Sequence, residues 1–182
     1  VMLLHSCDRA TLGRGDALGA LLSARDAGKI RFAGYSGDND DALCAAGLPG
    51  VSVIEMSVNI ADQANLDAAL ALARKNNVGV IAKRPIANAA WKGAAAQRGI
   101  YAGYAQTYCD RLAAMGLTIE ELGFSGEPAR VWPEIAMRFT LAQAGVHTAI
   151  VGTTSPGHAK VNLEAAARGP LLPRPAGDHH QP

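Results

Sequence analysis

The sequence predicts an α/β fold of alternating strands and helices, and three observations favour part of a (β/α)8 (TIM) barrel. Five short apolar runs are each followed by a helical pattern, which is typical of parallel strands joined by right-handed crossovers. Polar residues follow several different strands, as they do on the rim where the βα loops of a barrel build active sites. The alternative, an open doubly wound sheet, usually carries G-x-G-x-x-G after its first strand, and the sequence lacks that motif.

Each predicted strand is a run in which nearly every residue is apolar, the pattern of a strand covered on both faces. The five runs lie, in chain order, at residues 1–5, 30–36, 51–59, 78–86 and 147–152. The fourth run is rich in β-branched residues, and Pro85 stops it. Five such units cannot close a barrel, which typically needs about 250 residues. We therefore expect part of a barrel.

The helices are predicted from apolar residues at helical spacing and from the residues that cap them. They are expected near residues 15–28, 40–46, 65–76, 103–115, 128–144 and 156–167. Gly28 ends the first as a C-cap residue, and the side chains of residues 38–40 offer caps to the second. Pro156 stands in the first turn of the last helix, where proline is favoured.

Composition narrows the class of protein. The 182 residues are 49% hydrophobic, which suits one domain with a sizeable core, and the net charge of +1 gives no general attraction to nucleic acid or to a membrane surface. Cys7, Cys44 and Cys109 are widely spaced and odd in number, so we expect reduced thiols in a cytoplasmic protein and no metal site. No apolar run resembles a signal peptide or reaches the roughly 18 residues of a membrane span.

Five segments carry a family resemblance when they are read in chain order. They are VMLLHS, GKIRFAGYSGDN, VSVIEMSVNIADQ, NNVGVIAKRPIANAAW and AMRFTLAQAGVHTAIVGTTSPGHAKVNLEAA. Together they resemble strands four to eight of the aldo-keto reductase barrel over residues 1–168. The resemblance implies five consecutive βα units with the N-terminal three missing, followed by an irregular tail at residues 169–182. The apolar run that begins at Val1 has no preceding turn, cap or initiator methionine, so we expect a truncated chain.

The resemblance also implies a function: an NADP(H)-dependent oxidoreductase that reduces aldehydes and ketones to alcohols, with a nicotinamide cofactor and a small carbonyl substrate as ligands. In that family a tyrosine, a lysine and an aspartate act with a histidine, and those three lie upstream of strand four. The chain would keep only the histidine, His5, so we expect the chain alone to be inactive. The alternatives are a non-catalytic NADP(H)-binding module or regulatory subunit, and a fragment with no stable function.

Three residues at strand ends are assigned to the reacting end of the ligands. His5 alone reads as an ordinary surface histidine, but its family position implies that it polarises the substrate carbonyl through a ring N–H. Ser36 matches a serine that binds the nicotinamide carboxamide, while Gly37 stands where the family has asparagine, for which Asn39 would compensate. Glu55 falls where the family places an amide against the same carboxamide; a rim ion pair with a neighbouring cation is the alternative.

Lys83 and Arg84 follow the fourth strand and are assigned to the pyrophosphate of the cofactor. Cations and backbone N–H groups bind such an anion. Solvated surface cations are the alternative reading. Trp91, in the loop beyond them, and Trp132 would line the substrate pocket or pack in the core.

The segment GTTSPGHAKVN supplies the adenine end of the predicted cofactor site. Its three hydroxyl residues stand before a helix N-terminus, which favours an anion: Thr153, Thr154 and Ser155. By resemblance Thr154 and Ser155 would meet the 2′-phosphate of NADP. Lys160 or His158 would supply positive charge, and Asn162 would reach the adenine edge. From the residues alone, an ordinary helix N-cap explains the same pattern.

Overall fold

The computed structural model of the chain describes residues 1–96 and 101–171, and within that part five parallel strands form one sheet. The strands are β1 (Met2–His5), β2 (Ala33–Ser36), β3 (Val53–Ser57), β4 (Gly79–Lys83) and β5 (Thr148–Ala149). Each strand pairs with the next one along the chain, in the order β1-β2-β3-β4-β5. A doubly wound sheet reverses its order at a switch point, whereas a barrel does not. The α/β fold is confirmed, and its strand order is that of a barrel.

Helices follow the strands and lie close to their predicted positions. They are α1 (Arg9–Arg14), α2 (Asp16–Asp26), α3 (Asn39–Ala46), α4 (Ala71–Lys75), α5 (Tyr101–Met115), α6 (Pro128–Ala142) and α7 (Pro156–Ala167). A π-helical segment, Leu66–Leu70, leads directly into α4, and two 3₁₀ segments, Ala87–Lys92 and Ala94–Ala96, follow β4. Residues 172–182 of the predicted tail lie outside the described residues.

The first predicted helix, near residues 15–28, matches α2, but a separate helix that was not predicted, α1, precedes it. The Asp8 carboxylate caps α1 by accepting a hydrogen bond from the Thr11 N–H at 2.8 Å. Gly15 adopts a left-handed backbone (φ 80°), and its N–H donates to the Leu12 carbonyl at 3.1 Å. That conformation favours glycine, so Gly15 ends α1 and opens α2.

The last strand is also shorter than predicted. Residues 147–152 form an apolar run, but only Thr148 and Ala149 are strand residues. The ladder to β4 extends one residue to either side, through His147 N–H to the Val80 carbonyl and Ile150 N–H to the Ala82 carbonyl, both 3.0 Å. Among the described residues β5 pairs on one side only, so fewer hydrogen bonds hold it extended.

One face of the sheet packs against the helices and forms the main core. Tyr35, Ile54, Met56 and Val80 are at most 1% exposed, and they pack with helix residues such as Leu18. Burying one large apolar side chain contributes about 1.5–3 kcal/mol, so this cluster holds the strands in their register.

A second apolar cluster lies beyond the carboxyl ends of β3 and β4. It joins the loops after those strands to α5 and α6 through Ile60, Ala87, Tyr108 and Ala136, with Trp91 and Trp132 packed against it. The loops that follow β3 and β4 are therefore supported by packing and not only by their own turns.

The other face of the sheet carries polar side chains at the carboxyl ends of its strands. His5 is in register with Ser36, and Ser36 is in register with Glu55. Two residues further along the same face, Ser57 is in register with Lys83. Register partners on parallel strands point to the same face, as do alternate residues of one strand. The fold therefore brings these predicted site residues to one end of one face.

No helix in the described part of the chain is long and apolar enough to cross a membrane. Cys7, Cys44 and Cys109 are unpaired. The described residues contain no group of three or more histidine, cysteine, aspartate or glutamate side chains that could hold a metal ion.

Candidate functional site

A row of three side chains crosses the ends of β1, β2 and β3: His5, Ser36 and Glu55. Ser36 is 1% exposed, and its hydroxyl donates to Oε1 of Glu55 at 3.2 Å. Glu55 is half-buried and His5 is exposed. Because the Ser36 hydroxyl proton is donated in the hydrogen bond to Glu55, the hydroxyl oxygen and the second carboxylate oxygen of Glu55 can only accept further hydrogen bonds.

Tyr35 explains why glycine follows Ser36. The Tyr35 ring is buried beneath residue 37, and its hydroxyl donates to the Cys7 carbonyl at 2.8 Å. A Cβ at Gly37 would lie 2.3 Å from the Tyr35 hydroxyl oxygen, which excludes the asparagine of the family pattern. Burial raises the pKa of Tyr35 to about 12, so the hydroxyl stays a neutral donor at physiological pH.

Asn39 lies two residues beyond Gly37, the position at which the family pattern has asparagine. Its backbone is left-handed (φ 53°), and its N–H donates to Oδ1 of Asn65 at 2.8 Å. Asn65 is buried and fixes this turn, while the residue Asn39 itself is exposed. The exposed amide lies at the rim that Ser36 and Gly37 share.

Asp38 organises the charged part of the rim. One carboxylate oxygen accepts the Ser57 N–H at 2.6 Å and the Asn65 amide at 3.3 Å. The other lies 3.1 Å from Nζ of Lys83 and 3.7 Å from Nη1 of Arg84. Burial raises the pKa of Asp38. The Ser57 N–H and the Lys83 cation lower the pKa by more than burial raises it, so the pKa of Asp38 lies below its ordinary value of 3.8.

The Asp38 contacts correct one prediction and bear on another. Asp38 stands at the N-cap position of α3, but its side chain makes no capping hydrogen bond, because Ser57 and Lys83 take its oxygens. The sequence alternative paired Glu55 with Lys83 or Arg84. In the structure the carboxylate that pairs with these cations is that of Asp38.

The loop after β4 has an unusual backbone. Arg84, Ala87, Asn88 and Ala89 all have positive φ, between 46° and 56°. A left-handed backbone costs a residue with a side chain about 1–2 kcal/mol. The second apolar cluster supports this loop, and the Thr140 hydroxyl of α6 contacts the carbonyl of Pro85 at 3.2 Å. The chain thus stabilises a strained loop beside Lys83.

Trp91 and Trp132 pack against each other above this loop. Their rings are nearly parallel, with centroids 6.3 Å apart and an interplanar angle of 12°. Both rings join the second apolar cluster, and Trp91 also lines a large cavity. The packing alternative of the sequence analysis therefore describes Trp132, and Trp91 combines packing with a place in a cavity wall.

That cavity has a volume of about 790 Å³ and lies between the β4 loop, the start of α6 and the length of α7. Of the predicted site residues, Thr153 and Asn162 line it, and His158 does so as well. Its far wall contains Glu134 and Arg168, which form an ion pair. Pockets that hold small ligands have volumes of about 300–1,000 Å³.

The N-terminus of α7 is capped by its own hydroxyls. Ser155 Oγ accepts the His158 N–H at 3.3 Å, and Thr153 Oγ1 accepts the Ser155 N–H at 3.1 Å. The capping alternative of the sequence analysis is therefore present in the structure. Each hydroxyl still has a proton to donate, so capping does not prevent a hydrogen bond to an anion.

Lys160 does not line the cavity, although its ion-pair partner Glu164 does. Its side chain is 78% exposed and lies 3.9 Å from Glu164, one helical turn further on. Arg168, which the sequence analysis did not single out, lines the cavity instead. The signal for Arg168 was weak, because a basic residue after the last helix is usually a surface residue.

The structure thus groups the predicted residues into two neighbouring regions. The first is the rim of β1 to β4, with His5, Ser36, Glu55, Lys83 and Arg84. The second is the cavity beside α7, with Thr153 and Asn162 in its wall, and Thr154 and Ser155 follow Thr153 at the start of α7. The β4 loop connects the two, since it begins at the cations and ends at Trp91. This arrangement suits an elongated ligand that carries phosphates.

Comparison with known proteins identifies the family. The model of the aldo/keto reductase family matches residues 1–173. Among solved structures, the chain is similar to aldo-keto reductase AKR11C1 from Bacillus halodurans in its holo form (TM-score 0.63, 21% identity) and its apo form (TM-score 0.65, 21% identity). Both alignments cover 93% of this chain but 56% of the solved chain, so the chain spans little more than half of that protein. Curated protein sequences gave no match. The family match extends over nearly the whole chain, which therefore belongs to the aldo-keto reductase family.

Proposed function

We propose that the chain forms the cofactor-binding part of an NADP(H)-dependent oxidoreductase that interconverts small aldehydes or ketones and their alcohols. The observation that carries the proposal is the row of His5, Ser36 and Glu55 at the strand ends, which continues through the β4 loop into the cavity beside α7. When bound, the nicotinamide cofactor supplies or accepts the hydride. The residues of the chain bind it and orient the substrate.

The donors and acceptors along this path fit such a cofactor. Glu55 has an oxygen free to accept from the N–H₂ of a carboxamide, beside the buried Ser36. Lys83 and Arg84 place two cations beside Asp38 at the end of β4, where they would bind a pyrophosphate. The cavity is large enough for an adenosine moiety.

A preference for NADP over NAD is part of the proposal. The hydroxyls of Thr154 and Ser155 lie at the positive end of the α7 dipole, which favours a phosphate. His158 and Arg168 line the adjoining cavity. These groups support the preference more directly than Lys160, which does not line the cavity and pairs with Glu164.

His5 would hold the substrate carbonyl. It is exposed at the end of β1, in register with Ser36, where a ring N–H can donate to an oxygen above the nicotinamide. The proton donor would come from barrel strands that precede β1 in the family, and we propose that the natural polypeptide contains them. The five-strand sheet and the 56% coverage of the solved chain support this. The described chain alone would then be inactive, and we propose a cytoplasmic location for the complete protein.

The test is a kinetic comparison of variants of the natural full-length polypeptide with NADPH and a panel of small aldehydes and ketones. We expect His5→Ala to lower kcat on the order of 10²-fold while the Kd for NADPH stays the same. Asn162→Ala should instead weaken NADPH binding and leave kcat at saturating cofactor unchanged. Failure of the wild-type protein to bind NADPH would refute the proposal.

A non-catalytic NADP(H)-binding module is the second candidate. It is favoured by the distribution of residues, because the described chain contains many candidate cofactor contacts but only His5 as a candidate catalytic residue. Tight NADPH binding without turnover of any carbonyl by the full-length polypeptide would support this candidate over the enzyme.

A further inference from the structure

Glu55 brings an uncompensated negative charge to the rim. Its carboxylate accepts one hydrogen bond, from the neutral hydroxyl of Ser36, and no cation of the described residues lies within ion-pair distance of it. The nearest candidate on the same face, Lys83, is already paired with Asp38 at 3.1 Å. Lys83 and Arg84 both pair with Asp38, and no ion pair of the described residues includes Glu55.

Two residues hydrogen-bonded to Glu55 in the described chain, Ser36 and Gly37, have already used their donors. Ser36 uses its hydroxyl proton on Glu55, and the Gly37 N–H donates to the backbone carbonyl of Glu55 at 3.1 Å. Tyr35 cannot contribute, because its hydroxyl is buried and donates to the Cys7 carbonyl. A group that binds beside Ser36 and Glu55 must therefore supply donors, and a positive charge on it is stabilised.

We propose that Glu55 determines which redox state of the nicotinamide cofactor this site prefers, and that it favours the oxidised form. The inference rests on the proposed function. The oxidised nicotinamide ring is cationic and the reduced ring is neutral, while the phosphates and the adenosine are the same in both. Contributions from Lys83, Arg84 and the α7 cavity therefore cancel when the two affinities are compared, and the charge of Glu55 does not.

The size of the effect follows from the position of Glu55. Two unit charges a few ångströms apart near a protein surface interact strongly enough to change an affinity by more than tenfold. Glu55 is half-buried, so solvent and salt screen part of that interaction. We expect a change of about tenfold, which corresponds to about 1.4 kcal/mol and to a shift of about 30 mV in the potential of the bound two-electron couple.

The experiment measures the Kd of NADP⁺ and of NADPH, by calorimetry, for the natural full-length polypeptide and for Glu55→Gln. Glutamine keeps the shape of the side chain and removes its charge. We expect the ratio of the NADPH Kd to the NADP⁺ Kd to fall about tenfold in Glu55→Gln, and to stay near the wild-type value in Glu55→Asp, which keeps the charge. The thermal melting of each variant verifies that it is folded.

Asp26→Asn is the matched control, since Asp26 is a carboxylate at the end of α2 and pairs with Arg25 on the surface. Its ratio should equal that of the wild type. A ratio that changes less than twofold in Glu55→Gln, while both forms of the cofactor bind, would overturn the role of Glu55 and leave the proposed function intact. Absence of binding of either form to the wild type would overturn both.

Discussion

Asp38 is the residue whose loss should most disturb the rim, and Asp38→Ala tests that directly. The carboxylate accepts hydrogen bonds from Ser57 and Asn65 and pairs with Lys83 and Arg84. Alanine would leave the Ser57 N–H without its acceptor. It would also leave Lys83, whose side chain is 14% exposed, without its counter-ion.

The magnitude follows from these contacts. A hydrogen bond to a charged group contributes about 1.5–3 kcal/mol, and loss of one partner of a buried ion pair costs about 3–5 kcal/mol. The Asp38 side chain is 25% exposed, so the low end applies. We expect Asp38→Ala to lower the free energy of unfolding by about 3 kcal/mol, or the melting temperature by about 6–12 °C for a domain of this size.

Urea unfolding followed by far-ultraviolet circular dichroism measures this difference. The matched control is Asp40→Ala, because Asp40 is a neighbouring carboxylate whose side chain is 74% exposed and whose ion pair with Arg9 is a surface contact. That variant should cost less than about 1 kcal/mol. Equal costs for the two variants, within about 0.5 kcal/mol, would refute the assignment of Asp38 as the centre of the rim.

The pH dependence of the same pair gives a second check. Because the pKa of Asp38 is lowered in the folded state, its contribution to stability is present above its ordinary value of 3.8 and is lost as the pH falls through the folded-state value. The difference between the wild type and Asp38→Ala should therefore be constant near neutral pH and should narrow in acid. A difference that grows in acid would contradict the sign of the shift.

Three further predictions concern neighbouring residues. Thr140→Val removes the hydroxyl that contacts the carbonyls of Val58 at 3.0 Å and Pro85 at 3.2 Å, and it should cost about 1–3 kcal/mol in urea unfolding, whereas Thr140→Ser should recover most of that loss. Gly37→Ala sets a Cβ 2.3 Å from the Tyr35 hydroxyl oxygen and should cost about 1–3 kcal/mol; a thermal melt like that of the wild type would contradict the close packing. Burial raises the pKa of Tyr35 to about 12 and also raises that of Tyr108, so more than one tyrosine should titrate late by ultraviolet absorbance. Stability from Tyr35 should be lost as the pH rises from 10 through 12, and Tyr35→Phe should reduce the late absorbance change by one tyrosine.

Much of the fold could be predicted from the sequence, because the strands lie in mainly apolar runs and polar residues stand at the ends of most of them. That pattern located His5, Ser36 and Lys83 at the ends of β1, β2 and β4. The number of residues in β5 could not be predicted this way, since an apolar run does not reveal how many neighbours a strand has. The additional helix α1 was missed because it is too short, at six residues, to show a periodic apolar pattern of its own before Gly15 ends it.

The charged contacts of the site could not be predicted from spacing. Asp38 precedes a helix, where an aspartate is usually a cap, and its actual partners Ser57 and Lys83 lie on two other strands. Which residues of α7 line the cavity, Asn162 but not Lys160, depends on the rotation of α7 against α6, which the sequence of one helix does not determine. The same is true of Arg168, whose position beside Glu134 exists only in the folded chain.

Binding of NADPH to the natural full-length polypeptide is the most direct test of the central claim that the rim and the α7 cavity form one cofactor site. Trp91 lines that cavity and stacks on Trp132, so quenching of tryptophan fluorescence can report the binding. We predict a Kd in the micromolar range, weakened about tenfold by Asn162→Ala and by Lys83→Ala. A Kd that neither variant changes, or no quenching at millimolar NADPH, would contradict the account.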